Sequence, residues 1–198
     1  MMKKIIILLL TAASLTLGGC TNNTGEATII NEKEYIVEDV NIRDSNDALQ
    51  RLKDGNARFL ADDSALINVT SERRNELLNH QNPYAIIVSC SDSRVTPSLI
   101  FNVGLGEIFD IRIAGNVVDD DALGSIEYAV DHLHSPLLVI MGHEGCGAVT
   151  AAYDSVKNGV PSEGKIASIV EKIAPVISDS NNVAEAIHKN INAVYDEV

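Results

Sequence analysis

The chain has 198 residues, a formal net charge of -13 and 45% hydrophobic residues. Such an acidic surface disfavours nucleic-acid binding and favours solubility. The length beyond the N-terminal segments is enough for one domain with a full hydrophobic core.

The first nineteen residues are predicted to be a signal peptide that lies outside the fold. Lys3 and Lys4 form a positive start, and the apolar stretch over 5–17 is too short for a stable transmembrane helix. Small residues directly before Cys20 resemble the signal of bacterial lipoproteins, in which the cysteine is lipidated and becomes the mature N-terminus. We therefore expect an extracytoplasmic protein of the bacterial cell envelope, whose membrane contact is this lipid alone. An ordinary secretory signal with an incidental cysteine is the alternative.

Residues 20–43 are polar at first and have no clear period, which predicts a tether leading to one domain over 44–198. In that domain, helical spacing of apolar residues predicts helices and continuous apolar runs predict buried strands. In chain order these are a helix from Asp44, a short helix over 71–81, a strand over 84–90, a turn-rich part with a helical piece over 95–106, a strand over 107–113, a helix over 122–133, a strand over 135–142, a helix over 145–159 and two C-terminal helices. The alternation predicts an α/β fold with a mostly parallel central sheet flanked by helices.

Two short motifs stand at the ends of predicted strands. CSDSR occupies residues 90–94, and HEGC occupies residues 143–146. In a parallel sheet, ligands gather outside the carboxyl ends of the strands. Both motifs are therefore expected at the same rim of the sheet.

Cys90 and Cys146 could form a disulfide, because a secreted protein meets an oxidising compartment. A disulfide gives no reason for His143 near Cys146, or for Asp92 and Arg94 near Cys90. Zinc does, because its ligands are thiolate sulfur, imidazole nitrogen and carboxylate oxygen, and three protein ligands with an open position are typical of catalysis. Arg94 is spaced to hold Asp92 through a charge-assisted pair. The pattern favours one zinc ion per chain, and the disulfide stays the alternative.

Other histidines and aromatics carry weaker signals. His132 and His134, at a predicted helix end, are interpreted as surface residues, and His80 as a polar helix residue. Pattern alone places Phe109 and Tyr128 in the hydrophobic core.

The two motifs and the sequence between them resemble the β-class carbonic anhydrases. The similar stretches are CSDSR (90–94), GLGEIFDIRIAGNVV (104–118) and the segment from LGSIEYAV to HEGCGAV (123–149), within a resemblance over roughly residues 46–198. The resemblance implies the β-carbonic anhydrase fold and zinc-dependent, reversible hydration of CO2 to bicarbonate and a proton by zinc-bound hydroxide. Family members usually continue past the position of Val198 with another helix and a strand, so we expect this part of the family fold to be missing.

The resemblance implies roles for the residues of the two motifs. Cys90, His143 and Cys146 correspond to the zinc ligands. Asp92 and Arg94 correspond to the catalytic dyad that orients the hydroxide, and Asp92 can be a fourth zinc ligand in a closed state of the family's site. Two thiolates donate more charge than imidazoles would, so we expect activity to favour alkaline pH.

The resemblance also implies a substrate pocket. Gln81 and the backbone N–H of Gly147 correspond to polar contacts for CO2 or bicarbonate. Phe109 and Tyr128 correspond to aromatics that the neighbouring subunit supplies in the family. A homodimer, or a tetramer of dimers, is therefore expected.

Two further functions stay open. A hydrolase of CS2 or COS would use the same metal centre on a similar linear molecule. A disulfide-stapled lipoprotein that binds a solute or partner without catalysis belongs to a different class. Metal and thiol analysis separates this second alternative from an enzyme.

Overall fold

Apolar strands that pair in parallel form the centre of the fold. The computed structural model describes residues 3–9, 42, 44–65 and 67–198. Within these, the strands are β1 (Lys3–Leu9), β2 (Ala85–Ser89), β3 (Ile108–Arg112) and β4 (Leu137–His143), in the sheet order β1-β4-β2-β3. All residues of β2 and β4 are buried, which confirms the prediction made from their continuous apolar runs.

Helices connect and flank the strands, which confirms the predicted α/β class. In the described part of the chain they are α1 (Ser45–Leu60), α2 (Ser71–Glu76), α3 (Pro97–Ile100), α4 (Asp120–Asp131), α5 (Gly147–Asn158), α6 (Ile166–Ile177) and α7 (Val183–Glu197), with a 3-10 turn at Ala114–Asn116. Carboxylates cap α1 and α4: Asp44 accepts from the backbone of Asn46, and Asp119 accepts from that of Ala122. Among the described residues, none of the helices has the length and apolar character to cross a membrane.

The second helix is shorter than predicted: it ends at Glu76 and not near residue 81. The backbone N–H of Leu78 donates to the carbonyl of Asn75, a tight i to i−3 bond that closes the last turn. The Arg73 side chain also donates to the carbonyl of Leu105, which ties the helix to the loop before β3. This long-range contact was not readable from the periodicity.

The N-terminal segment differs from the prediction that the first nineteen residues lie outside the fold. Lys3–Leu9 forms β1 and pairs in parallel with β4, from Lys3 opposite Leu137 to Leu9 opposite His143. The edge of β4 that faces away from β2 offers unpaired backbone groups, and an apolar, β-branched segment satisfies them. The signal peptide stays a prediction, and the predicted lipidation site Cys20 and most of the predicted tether lie outside the described residues.

Close packing of α1 against the segment after α3 depends on a glycine. A Cβ atom at Gly55 would lie 1.7 Å from the carbonyl oxygen of Phe101, so Gly55→Ala must displace backbone. We expect this variant to lose about 1–3 kcal/mol of unfolding free energy, the usual cost of overpacking. Gly124→Ala in α4 is the control, because its Cβ would meet no atom within 4 Å; it should gain about 0.4–1 kcal/mol. Urea denaturation measures both, and equal effects would contradict the packing explanation.

Candidate metal centre

Two neighbouring strands deliver the candidate ligands to one edge of the sheet. β2 ends at Ser89 and β4 ends at His143, and these strands pair in parallel. Cys90 therefore follows β2 at the edge where His143 ends β4. Cys146 is the N-cap of α5 and follows a turn in which Gly145 has a φ of 64°. The predicted common rim is confirmed.

The three side chains form a buried cluster. The Sγ atoms of Cys90 and Cys146 lie 3.9 Å apart, and both cysteines are free. Together with a ring nitrogen of His143, the ligand atoms all lie within 4.8 Å of one another. The relative exposures are 5% for Cys90, 2% for Cys146 and 2% for His143. The geometry therefore brings the three predicted ligands together, out of contact with bulk solvent.

The hydrogen bonding of His143 leaves a nitrogen available for a metal. Its Nδ1 lies 3.0 Å from the carbonyl oxygen of Glu144, which can only accept, so Nδ1 carries the proton. Nε2 then holds a lone pair, is buried, and has no hydrogen-bond partner in the described structure. A ligating histidine typically has this arrangement, with its other nitrogen fixed by a carbonyl.

The electrostatics of the two thiols favour a bound cation. The hydrogen bond with Cys146 lowers the pKa of the Cys90 thiol well below its usual range. The same hydrogen bond, together with burial, raises the pKa of Cys146. By itself the pair retains one proton, and a second thiolate needs a compensating positive charge. Two thiolates and a neutral imidazole suit Zn²⁺, so the residues present fit this ion.

Arg94 fixes Asp92 beside the cluster. The guanidinium donates from Nε to Oδ1 at 2.9 Å and from Nη2 to Oδ2 at 2.7 Å, and the Arg94 backbone N–H donates to Oδ1 at 2.9 Å. These bonds hold the pKa of Asp92 well below its usual range. Asp92 Oδ2 lies 3.9 Å from Nε2 of His143. The predicted charge-assisted pair is present and is bidentate, and a role of Asp92 as fourth ligand stays a prediction.

A residue that the sequence analysis missed supports this loop. Arg112, at the end of β3, donates from Nη2 to the carbonyl of Asp92 at 2.7 Å and from Nε to the carbonyl of Cys90 at 3.2 Å. Arg112 therefore holds the backbone of the CSDSR motif, which carries both the candidate ligand Cys90 and the carboxylate of Asp92. A positively charged side chain at the carboxyl end of a predicted strand was the signal that could have revealed Arg112.

The predicted substrate residues Gln81 and Tyr128 lie in a different place. They line a cavity of about 770 Å³, together with the exposed side chains of His80, His132 and His134. The surface interpretation of His132 and His134 is thus confirmed. The described residues around this cavity do not include the two cysteines and the histidine of the metal cluster. A single chain does not join these two sets of residues in one pocket.

The two aromatics of the predicted pocket are not fully buried in the hydrophobic core. Tyr128 is 47% exposed, and its ring centroid lies 6.4 Å from that of the half-buried Phe109. The expectation from pattern alone, that both belong to the core, is wrong for Tyr128, while Phe109 is partly buried and packs against the core. The reason is the sheet order: β3 is an edge strand, so Phe109 and the neighbouring face of α4 are not covered. An open aromatic pair is compatible with the pocket role that the resemblance implies.

Gly147 is the first residue of α5, directly after Cys146. A Cβ atom at this position would meet nothing within 4 Å, so the approach to the backbone is open. N–H groups at a helix N-terminus favour anions such as bicarbonate. The placement agrees with the predicted substrate contact, which stays a prediction.

Sequence comparison identifies one family. The family model described as carbonic anhydrase matches residues 85–197. A carbonic anhydrase of Mycolicibacterium smegmatis is 45% identical over 130 residues, which are 66% of this chain and 63% of that protein. Carbonic anhydrase 2 of Mycobacterium tuberculosis is 43% identical over the same extent. The matched part thus spans about 63% of the length of these relatives.

Solved structures give the same result for the fold. A β-carbonic anhydrase of Coccomyxa, in complex with acetazolamide, has 25% identity and a TM-score of 0.52 over 72% of this chain and 66% of that chain. A tetrameric β-carbonic anhydrase of Sordaria macrospora has a TM-score of 0.53 at 22% identity, over 73% of this chain and 75% of that chain.

Proposed function

Because the chain belongs to the carbonic anhydrase family, in its β class, we propose that it hydrates CO2 reversibly to bicarbonate and a proton. The observation that carries this proposal is the buried cluster of Cys90, His143 and Cys146 with an ionised Asp92 beside it. One zinc ion per chain is the proposed cofactor. Zinc, when bound by these three residues, supplies the Lewis acidity that ionises water near neutral pH.

The residues of the chain position the reactants. Asp92 stays ionised and has a fixed orientation, because Arg94 donates to both of its carboxylate oxygens. It can therefore accept a hydrogen bond from the attacking water and direct an oxygen lone pair toward CO2. The open N-terminal turn of α5 at Gly147 offers a backbone N–H to the developing negative charge. The low exposure of the cluster strengthens these electrostatic interactions.

A second copy of the chain is proposed to complete the site. Gln81 and Tyr128 line a cavity whose described residues do not include the metal cluster of their own chain, and Phe109 lies beside Tyr128. All three can therefore contribute to the site of a neighbour. They would supply an apolar seat for CO2 and a polar contact for bicarbonate. A homodimer or a tetramer of dimers, with CO2 and bicarbonate as its ligands, is therefore the proposed assembly.

Mixing two inactive variants tests the shared site. Cys90→Ser should inactivate the chain that carries it, and a Gln81→Ala/Tyr128→Ala double variant should inactivate the site of its neighbour. After dissociation and reassociation of an equimolar mixture, half of the dimers are mixed, and each contains one intact site. We expect about a quarter of the wild-type CO2 hydration rate, since a quarter of all sites is then intact. Activity that stays at the level of the separate variants would contradict the shared site.

Metal and thiol analysis separates the proposed enzyme from a disulfide-stapled binding protein. The purified chain should contain one zinc ion, and Cys90 and Cys146 should react as free thiols after denaturation without reductant. A disulfide between them and no zinc would overturn the proposal. Parallel assays with CO2, CS2 and COS identify the substrate; hydrolysis of CS2 or COS with background CO2 hydration would favour the hydrolase.

The proposed location is the bacterial cell envelope, with a lipid on Cys20 as the membrane anchor. The support is the positive start, the short apolar stretch and the small residues before Cys20. Removal of this leader would also remove β1 and open the outer edge of β4. Mass spectrometry of the protein from bacterial membranes tests the proposal: a lipidated N-terminal Cys20 supports it, and a chain that retains Lys3 contradicts it.

A further inference from the structure

An asparagine in the last helix reaches the loop behind the metal cluster. Asn190 lies in α7, is 2% exposed, and donates from Nδ2 to the carbonyl oxygen of Gly115 at 2.8 Å. A buried amide is costly unless it is hydrogen-bonded, so this contact specifies how α7 meets the 3-10 turn. The function proposed above gives no role to Asn190.

Gly115 connects this contact to a candidate metal ligand. Its backbone N–H donates to Cys90 Sγ at 3.3 Å. Its φ is 70°, a conformation that favours glycine, and a Cβ atom there would lie 2.7 Å from Ile173 Cδ1 and 3.1 Å from the Cβ of Ala148. Packing from α5 and α6 therefore confines Gly115 on one side, and the amide of Asn190 holds its carbonyl.

We infer that Asn190 is a positioning residue for the Cys90 thiolate: it fixes Gly115, whose N–H donates to the ligand sulfur. This inference rests on the proposed zinc site. An N–H donor to a ligating sulfur orients the sulfur and reduces the charge that it donates to the metal. The C-terminal helix thereby acts on the metal centre through one backbone residue, without contacting the metal.

An Asn190→Leu variant tests the inference, because leucine has a similar size and no donor. Removal of such a supporting contact should lower zinc affinity about 10–100-fold, as measured by competition with a chelator. The sulfur-to-metal charge-transfer band of the cobalt-substituted protein should also shift. Val194→Ala is the matched control, because Val194 is buried on the same helix and contributes packing alone. It should lower the unfolding midpoint and leave zinc affinity and the cobalt band unchanged.

A measurement on the wild-type chain covers the case in which Asn190→Leu does not fold. In protein loaded with the NMR-active isotope of cadmium, the amide proton of Gly115 should show a scalar coupling to the metal through the Cys90 sulfur. Absence of this coupling, or unchanged zinc affinity in a folded Asn190→Leu variant, would overturn the inference. If the wild-type chain binds neither zinc nor cadmium, the proposed function fails as well, so the two failures are distinguishable.

Discussion

A Cys90→Ser variant is expected to lose both stoichiometric zinc and CO2 hydration. Serine keeps the size of the side chain but replaces a thiolate ligand by a hydroxyl that is not ionised at neutral pH. Substitution of a residue that hydrogen-bonds a metal ligand typically lowers metal affinity about 10–100-fold. Removal of a ligand itself should therefore lower zinc affinity more than about 100-fold. Zinc content after gel filtration and the rate of CO2 hydration by stopped flow measure the two losses.

Cys20→Ser is the matched control for this substitution. It makes the same chemical change at a cysteine that belongs to neither of the two motifs, and should retain one zinc ion per chain and the wild-type rate. The free energy of unfolding of zinc-free protein should be similar in both variants, because the serine hydroxyl at position 90 can still accept from the Gly115 N–H, as the Cys90 sulfur does. Full zinc occupancy in Cys90→Ser would contradict the role of Cys90 as a ligand.

An Asp92→Asn variant is expected to retain zinc and to lose about 10²- to 10⁴-fold in CO2 hydration, the range for removal of an acid-base group. The amide keeps the shape of the side chain, but it carries no negative charge and only one of its two terminal atoms accepts. Stability should change little, because Arg94 is 64% exposed and solvent replaces much of its ion pair with Asp92. Activity and zinc content, measured on the same sample, separate this result from that of Cys90→Ser.

The low pKa of Asp92 determines how the loss of CO2 hydration in Asp92→Asn depends on pH. A carboxyl group with a depressed folded-state pKa contributes stability above its unfolded-state pKa and loses it as pH falls through the folded-state value. Because its pKa is depressed, Asp92 is ionised throughout the neutral and alkaline range. The Asp92→Asn variant should keep the shape of the wild-type profile between neutral and alkaline pH at a lower rate. A profile whose midpoint moves would show that Asp92 itself titrates in the wild type.

The site was predictable where chemistry follows directly on an apolar run. Cys90 comes after the buried run over 85–89, and His143 ends the buried run over 137–143. Parallel pairing of such runs brings their ends together, so spacing in the sequence was enough to place the candidate ligands at one rim. The pair of Asp92 and Arg94 was predictable for a similar reason, since both residues belong to the same short loop.

The features that could not be predicted from the sequence depend on contacts between distant parts of the chain. The exposure of Phe109 and Tyr128 follows from the position of β3 at the edge of the sheet, and periodicity does not give strand order. Asn190 reaches Gly115 across 75 positions, and nothing in the local sequence of α7 distinguishes it from a polar surface residue. The pairing of Lys3–Leu9 with β4 likewise depends on an open strand edge, which a local apolar pattern cannot show.

The most direct test of the proposed zinc site and its chemistry is stopped-flow CO2 hydration by one preparation in three states. The wild-type chain is measured as purified, after removal of metal by a chelator, and after addition of one equivalent of zinc. We predict a rate above background in the first state, a background rate in the second and recovery in the third. A rate that does not depend on zinc, or a background rate in the zinc-loaded protein, would contradict carbonic anhydrase activity at Cys90, His143 and Cys146.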